Sequence, residues 1–299
     1  MSTDSTSLRW DSGTDVAASR VTAEQAAEIV GLAAELLRLK SRIHDLNALD
    51  EFASAQLGEI HEAIGRDAFC YFYQPIISAA TGLVEGHEAL LRWQRRGEAF
   101  GPPLFLPIAE EAGSLAAIQQ RLLDDVALAF AQVAPGGFIS MNWSPRQFLK
   151  ASAVSALIDR IKELKIDPAR VVIEITARST MIDPDLVYFS VQQLKDTGCR
   201  IALDDFGGPH GSLPYLSQLP VDLVKLDAAL IADVERSERA TRILSATVDF
   251  AHQLGAGVVA KGVETQQQVR ILRRHGCDLL QGHAIGSPAR EPRLMKVDG

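Results

Sequence analysis

Seven polar side chains in this 299-residue chain lie inside or at the ends of apolar runs. Glu174 is embedded in Val-Val-Ile-Glu-Ile-Thr, and Asp204 and Asp205 close Arg-Ile-Ala-Leu-Asp-Asp. Lys225 ends Val-Asp-Leu-Val-Lys, Lys261 ends Gly-Val-Val-Ala-Lys, Asn142 ends Phe-Ile-Ser-Met-Asn, and Glu88 lies in the second run. A charge buried in such a setting costs on the order of several kcal/mol unless it is paired or bound to a metal. Carboxylates, one amide and a lysine brought together suit a hard divalent cation with oxygen ligands. One strand-end aspartate alone would be an ordinary helix cap. Two adjacent ones repel each other without a cation between them. The seven histidines are scattered and the three cysteines form no CxxC pair, so nothing points to structural zinc.

The runs that carry these residues are Cys70–Ile77, Leu83–Trp93, Gly137–Trp143, Val171–Thr176, Arg200–Asp205, Asp222–Leu226, Gly257–Lys261 and Asp278–Gln281. Helical patterns over 107–133, 153–164, 184–197, 236–254 and 265–275 separate them. Near-continuous apolar strands between helices indicate parallel strands buried on both faces. The pattern predicts an α/β fold, a (β/α)8 TIM-type barrel, with a doubly wound open sheet as the alternative. In a barrel the strand C-termini converge on one mouth, where active sites lie. No GxGxxG follows the first strand, which argues against a dinucleotide cofactor.

Residues 1–21 are rich in Ser, Thr, Asp and Ala and read as a disordered tail. Thr22 and Gln25 form a capping-box pattern that opens a helix over 22–66. Its apolar residues Ile29, Leu32, Leu36, Leu39, Ile43, Leu46, Ala53, Leu57, Ile60 and Ile64 step by 3 and 4, with Asp50 the polar member. That is a heptad seam, read as a dimerising coiled coil; a single amphipathic helix lying on the next domain is the alternative. The barrel domain is placed at 67–299. The net charge of −8 disfavours nucleic acid as a partner. The expected location is the cytoplasm: no signal-peptide pattern opens the chain, no apolar run spans a membrane, and the cysteines suit a reducing compartment.

These residues resemble a known family. Tyr73-Gln74-Pro75-Ile76, Glu88-Ala89-Leu90-Leu91-Arg92-Trp93, Met141-Asn142-Trp143-Ser144-Pro145-Arg146-Gln147 and Glu174-Ile175-Thr176 resemble the EAL domain, the cyclic-di-GMP phosphodiesterase family. So do Ala202-Leu203-Asp204-Asp205-Phe206-Gly207, the stretch from Leu219 to Asp227, Gly262-Val263-Glu264-Thr265 and Gln281-Gly282. The resemblance implies a modified barrel whose first strand is antiparallel. It also implies Mg²⁺ or Mn²⁺ and opening of cyclic-di-GMP to the linear dinucleotide. Glu88, Asn142, Glu174 and Asp204 match a first metal site and Asp205 a ligand of a second. Lys225 matches the lysine near the attacking water. Gln74, Leu90, Arg92, Asp227 and Gln281 match ligand-contacting positions. Glu264 matches the glutamate that steadies the loop after the aspartate pair.

Two departures matter. Where the family reads Ala-Glu-Gly-Val-Glu, this chain reads Ala260-Lys261-Gly262-Val263-Glu264. The family's glutamate there is its catalytic carboxylate. A protonated lysine offers no lone pair, so it neither binds metal nor accepts a proton. It can instead neutralise Asp204 and Asp205 in place of the second metal. The loop after the pair also differs, reading Gly207-Gly208-Pro209-His210-Gly211-Ser212 where the family has Gly-Thr-Gly.

The expected function is a cyclic-di-GMP signalling protein with a degenerate EAL domain. It would act as a receptor or protein-interaction regulator with lost or very weak hydrolysis. The alternative is an active metal-dependent phosphodiesterase that makes the linear dinucleotide. A Schiff-base enzyme using Lys225 or Lys261 is disfavoured, because the surrounding acids keep lysine protonated. The expected cofactor is Mg²⁺ or Mn²⁺ if the site is retained, or none. Expected partners are cyclic-di-GMP, a second copy through the N-terminal helix and an unidentified protein. No membrane insertion is expected.

Overall fold

A computed structural model describes residues 58–111, 113–176, 183–208 and 219–292. The tail at 1–21 and most of the helix expected over 22–66 lie outside the described residues, as do positions 209–218 of the loop after the aspartate pair.

The eight runs read from sequence all form strands, and a ninth short strand joins them. They are β1 (Phe69–Ser78), β2 (Val84–Arg95), β3 (Glu98–Phe100), β4 (Phe138–Asn142), β5 (Val171–Thr176), β6 (Arg200–Phe206), β7 (Leu223–Leu226), β8 (Gly257–Ala260) and β9 (Leu279–Leu280). The order is β1-β9-β8-β7-β6-β5-β4-β2-β3, and β1 also pairs with β2. That last pairing closes eight strands into a barrel and excludes the open doubly wound sheet. β1 runs antiparallel to both β2 and β9, while β4 to β9 follow one another in parallel. The antiparallel first strand agrees with the expectation drawn from the resemblance.

Strand β3 was not read from sequence. It returns from β2 through Arg96 and Gly97, both at positive φ (54° and 85°), between the paired residues Arg95 and Glu98. Two left-handed residues in a two-residue loop make the hairpin turn whose twist matches its strands. Arg-Gly lacks the asparagine or aspartate that usually advertises it. The helix expected over 107–133 is two helices, Leu106–Glu111 and Leu115–Ala129. Gly113 breaks them apart at φ 70°, a conformation helices do not continue through.

Strand alternation builds the lumen in storeys. Ile76, Phe138, Val172, Ala202, Leu223, Val259 and Leu279 form one apolar cluster separate from the main core. Each lies one pleat, two residues, from a polar lumen position: Gln74, Ser140, Glu174, Asp204, Lys225, Lys261 and Gln281. The apolar storey is therefore a floor under the polar one. The opposite strand faces join the main core, to which buried residues of the flanking helices also belong, among them Leu122, Val191 and Leu244. Within the segment 58–65, which is helical, Ile60 is fully buried and Ile64 packs on that same core. The last two positions of the expected heptad seam are thus consumed by the barrel itself. All three cysteines are buried and unpaired. No helix among the described residues is long and apolar enough to cross a membrane.

Gly86 is the eighth floor position. A Cβ there would lie 2.6 Å from the Phe138 ring. Gly86→Ala should lower the unfolding free energy by about 1–3 kcal/mol through overpacking. Chemical denaturation should show this, with part of the loss restored by adding Phe138→Leu.

Candidate functional site

The polar storey holds a buried cluster centred on Lys225, whose side chain is 2% exposed. Its Nζ donates to Glu88 Oε2 at 2.8 Å and to Glu174 Oε1 at 2.5 Å. Glu88 also accepts from Asn142 Nδ2 at 2.8 Å and from Gln281 Nε2 at 2.7 Å. Gln281 Nε2 reaches Gln74 Oε1 at 3.1 Å as well. Residues from β1, β2, β4, β5, β7 and the segment after β9 therefore meet at one point. Their strands place them there because each side chain lies on the lumen face, Asn142 one pleat beyond Ser140 and the others at the same storey.

One ammonium serves two carboxylates, and they fare differently. Burial works against ionised Glu88, but the Lys225 charge and the hydrogen bonds from Gln281 and Asn142 outweigh it and pull its pKa down to about 2. Glu174 is buried too and faces the negative charges of Glu88 and Asp204, which outweigh Lys225, so its pKa rises to about 8. Its Oε2 is buried with no hydrogen-bond partner. Burial would lower the Lys225 pKa, yet Glu174, Glu88 and Asp204 raise it above the ordinary lysine value.

A second cluster stands beside the first. Lys261 Nζ lies 2.6 Å from Asp205 Oδ1 and 2.6 Å from Asp204 Oδ1. The contact to Asp204 is a close approach of opposite charges outside hydrogen-bond alignment. Consecutive strand residues ordinarily point to opposite faces, so both aspartates reaching one ammonium requires a local device. The β6–β7 register shifts between Leu203 and Phe206, and Asp205 adopts φ 55°. A left-handed non-glycine residue of this kind costs about 1–3 kcal/mol and is characteristic of functional sites. Burial opposes the Lys261 charge, but Asp204 more than compensates and raises its pKa. The amine is thus protonated and has no lone pair to give.

The remaining sequence candidates spread around the mouth. Leu90 and Asn142 line a cavity of about 260 Å³ together with Leu106, Glu110, Gln119 and Thr176. Half-buried Arg92 donates to the Leu91 carbonyl at 2.8 Å and stacks 5.9 Å from the centre of the Phe72 ring. Asp227 caps the short helix Ala228–Ala232, accepting from Ala229 N at 2.8 Å. Glu264 is exposed and its carboxylate makes no ion pair or hydrogen bond with another described residue; only its backbone N–H is held, by Gln268 Oε1 at 2.7 Å. The structure therefore gathers Gln74, Glu88, Asn142, Glu174, Lys225 and Gln281 in one cluster and Asp204, Asp205 and Lys261 in another. It leaves Glu264 outside both.

Two buried glutamines escaped the sequence reading. Gln119 and Gln147 hydrogen-bond each other at 2.5 Å, and Gln119 donates to the Asn142 carbonyl at 2.9 Å. The available signal was a glutamine in the apolar register of its helix, flanked by buried Leu115, Leu122 and Leu123.

The donor chemistry fits one hard cation near Glu174. Four carboxyl groups face two ammonium groups, which leaves negative charge in excess even with Glu174 protonated, and Glu174 Oε2 has no partner. Among the described residues no three acidic, histidine or cysteine side chains form a ready-made cage. A second cation beside Asp204 and Asp205 does not fit, because Lys261 occupies that place.

Residues 57–288 match the model of the EAL domain. The chain belongs to the EAL domain family. It is 32% identical over 244 residues to the bifunctional diguanylate cyclase/cyclic di-GMP phosphodiesterase MucR of Pseudomonas aeruginosa, covering 80% of this chain and 36% of MucR. It is likewise 32% identical over 244 residues to the probable cyclic di-GMP phosphodiesterase PdeG of Escherichia coli, covering 80% of this chain and 48% of PdeG. The chain thus spans less than half the length of these curated relatives. The solved MucR phosphodiesterase in its c-di-GMP complex superposes with a TM-score of 0.73 at 32% identity, covering 79% of this chain and 97% of that one. The FimX EAL domain of Pseudomonas aeruginosa shares the fold, with a TM-score of 0.74 at 20% identity over 80% of this chain and 98% of that one.

Lys225→Met leaves two carboxylates buried without their cation. It should cost about 3–5 kcal/mol of stability, the usual penalty for breaking a buried ion pair. Lys261→Met should cost less, since Asp205 is 52% exposed and water replaces the amine there. Urea denaturation of the two variants ranks them.

Proposed function

We propose that this EAL domain binds cyclic-di-GMP as a receptor and has lost all or nearly all hydrolysis. The observation that carries the reading is the Lys261 ammonium 2.6 Å from both Asp204 and Asp205. In this reading Lys261 supplies the positive charge that a second divalent cation would bring. It supplies no acceptor for the proton of an attacking water. An ion placed some 4 Å from it would meet several kcal/mol of repulsion, as an order of magnitude, even at an effective dielectric near 20.

Glu88, Asn142, Glu174 and Asp204 would hold one divalent cation, Mg²⁺ or Mn²⁺. When bound, that ion would neutralise phosphodiester charge. Gln74, Leu90, Arg92, Asp227 and Gln281 would contact the dinucleotide, with Arg92 on a phosphate. The match to the MucR phosphodiesterase in its c-di-GMP complex supports the ligand. A regulator of this kind passes its state to a protein partner, and the N-terminal helix would pair two copies in the cytoplasm. The second reading, an active phosphodiesterase, is favoured by the intact gathering of Glu88, Asn142 and Glu174 around Lys225.

The purified 299-residue chain with Mn²⁺ and cyclic-di-GMP should give a calorimetric binding isotherm and no linear dinucleotide by chromatography. Lys261→Glu should raise the Mn²⁺ stoichiometry from one to two. Clear turnover by the unmodified protein would replace the receptor with the active enzyme. Arg92→Ala should weaken cyclic-di-GMP binding roughly 10- to 100-fold, the loss of one charge-assisted hydrogen bond. Unchanged affinity would remove Arg92 from the phosphate contact.

A further inference from the structure

We propose that Gln119 and Gln147 are positioning residues that aim the Asn142 side chain into the site. The inference rests on the reading of Asn142 as a site residue.

The peptide joining Asn142 to Trp143 is held from both sides. Its carbonyl oxygen accepts from Gln119 Nε2 at 2.9 Å, and its N–H, on Trp143, donates to the Glu174 carbonyl at 3.0 Å. A peptide plane fixed at both ends cannot rotate, so the Cα–Cβ bond of Asn142 has one direction. From that direction the side chain's rotamer sets Asn142 Nδ2 2.8 Å from Glu88 Oε1. Gln119 is itself held, because its Oε1 accepts from Gln147 Nε2 at 2.5 Å. Gln147 Oε1 in turn accepts from Ser144 N at 3.0 Å, closing the relay on the segment that follows β4.

Both glutamines are buried, at 7% and 5% exposure, where an amide has no water to fall back on. Neither hydrogen-bonds a carboxylate or ammonium of the site, and Gln119 reaches it only through the Asn142 carbonyl. A purely space-filling role at these positions would be served by leucine or methionine. Amides in a chain, each fixing the orientation of the next, set a direction that apolar packing does not.

The chain has two asparagines, Asn47 and Asn142. Selective ¹⁵N-asparagine labelling of this 299-residue chain therefore gives two side-chain amide pairs in a ¹⁵N–¹H spectrum. Asn47→Gln identifies which is which. Gln119→Met keeps the side-chain volume and removes the donor to the Asn142 carbonyl. We expect it to move the Asn142 pair toward the free-asparagine position and to speed its solvent exchange about tenfold, as loss of a buried hydrogen bond would. Ile118→Val, a buried neighbour outside the relay, should lower stability and leave that pair in place.

An Asn142 pair unmoved in folded Gln119→Met overturns the proposal, as does an equal displacement in Ile118→Val. If Gln119→Met does not fold, Gln147→Glu decides. It keeps the acceptor for Ser144 N and removes the donor to Gln119, so displacement of the Asn142 pair supports the relay and its absence overturns it. Failure of the unmodified protein to bind cyclic-di-GMP would instead sink the receptor reading, without moving the asparagine signal.

Discussion

The site depends on one ammonium held in a sealed lumen. Lys225 lies above an apolar floor and beneath the mouth, where Glu88 and Glu174 share its charge. Removing three charges from water costs several kcal/mol each, and attraction offsets that only with good geometry and full hydrogen bonding. Glu88 has the full set of donors, in Lys225, Asn142 and Gln281. Glu174 has Lys225 alone and keeps one bare oxygen. The asymmetry makes Glu174 the group that is short of positive charge. An apolar core replacement would serve stability as well as this arrangement does. The cluster is therefore explained by what it presents to the mouth.

Closure of the barrel is what makes the cluster possible. Eight strands project toward one axis, so residues far apart in the chain, such as Gln74 and Gln281, come within 3.1 Å. The two-residue pleat then separates floor from site, and each strand contributes one apolar and one polar residue to the two storeys. The aspartate pair is the exception. Alternation alone would send Asp205 outward, and the left-handed residue with its register shift turns it back toward Lys261. Local strain is thus spent on bringing a second carboxylate to the amine.

The fold was legible because burial on both faces writes near-continuous apolar runs, and all eight became strands. The site was legible for the same reason: Glu174 and Lys225 interrupt runs that have no other cause to hold a charge. Three features were not. Arg96-Gly97 turns a hairpin without a customary turn pair, and Gly113 divides a helix whose apolar register continues across the break. Gln119 was hidden because its partner is a backbone carbonyl, and periodicity reports burial without saying what a buried polar group bonds to. Glu264 was placed by likeness of motif, and its exposed carboxylate stands apart from both clusters.

Exchanging a diffusible ion for a tethered amine changes more than charge. A divalent cation binds in proportion to its concentration, orients several oxygens at once and can hold a water. The Lys261 ammonium is always present, donates from one point and leaves its acceptor capacity filled by a proton. Part of the attraction for a phosphodiester is kept in such a change, since Lys261 still offsets one of the two charges of Asp204 and Asp205. On the receptor reading, activation of water at this position is what is given up, since a protonated amine neither acidifies a water as a metal does nor offers a lone pair to take its proton. Binding and hydrolysis rest on different properties of the same position, and in the receptor reading proposed above this chain keeps the property that binding uses.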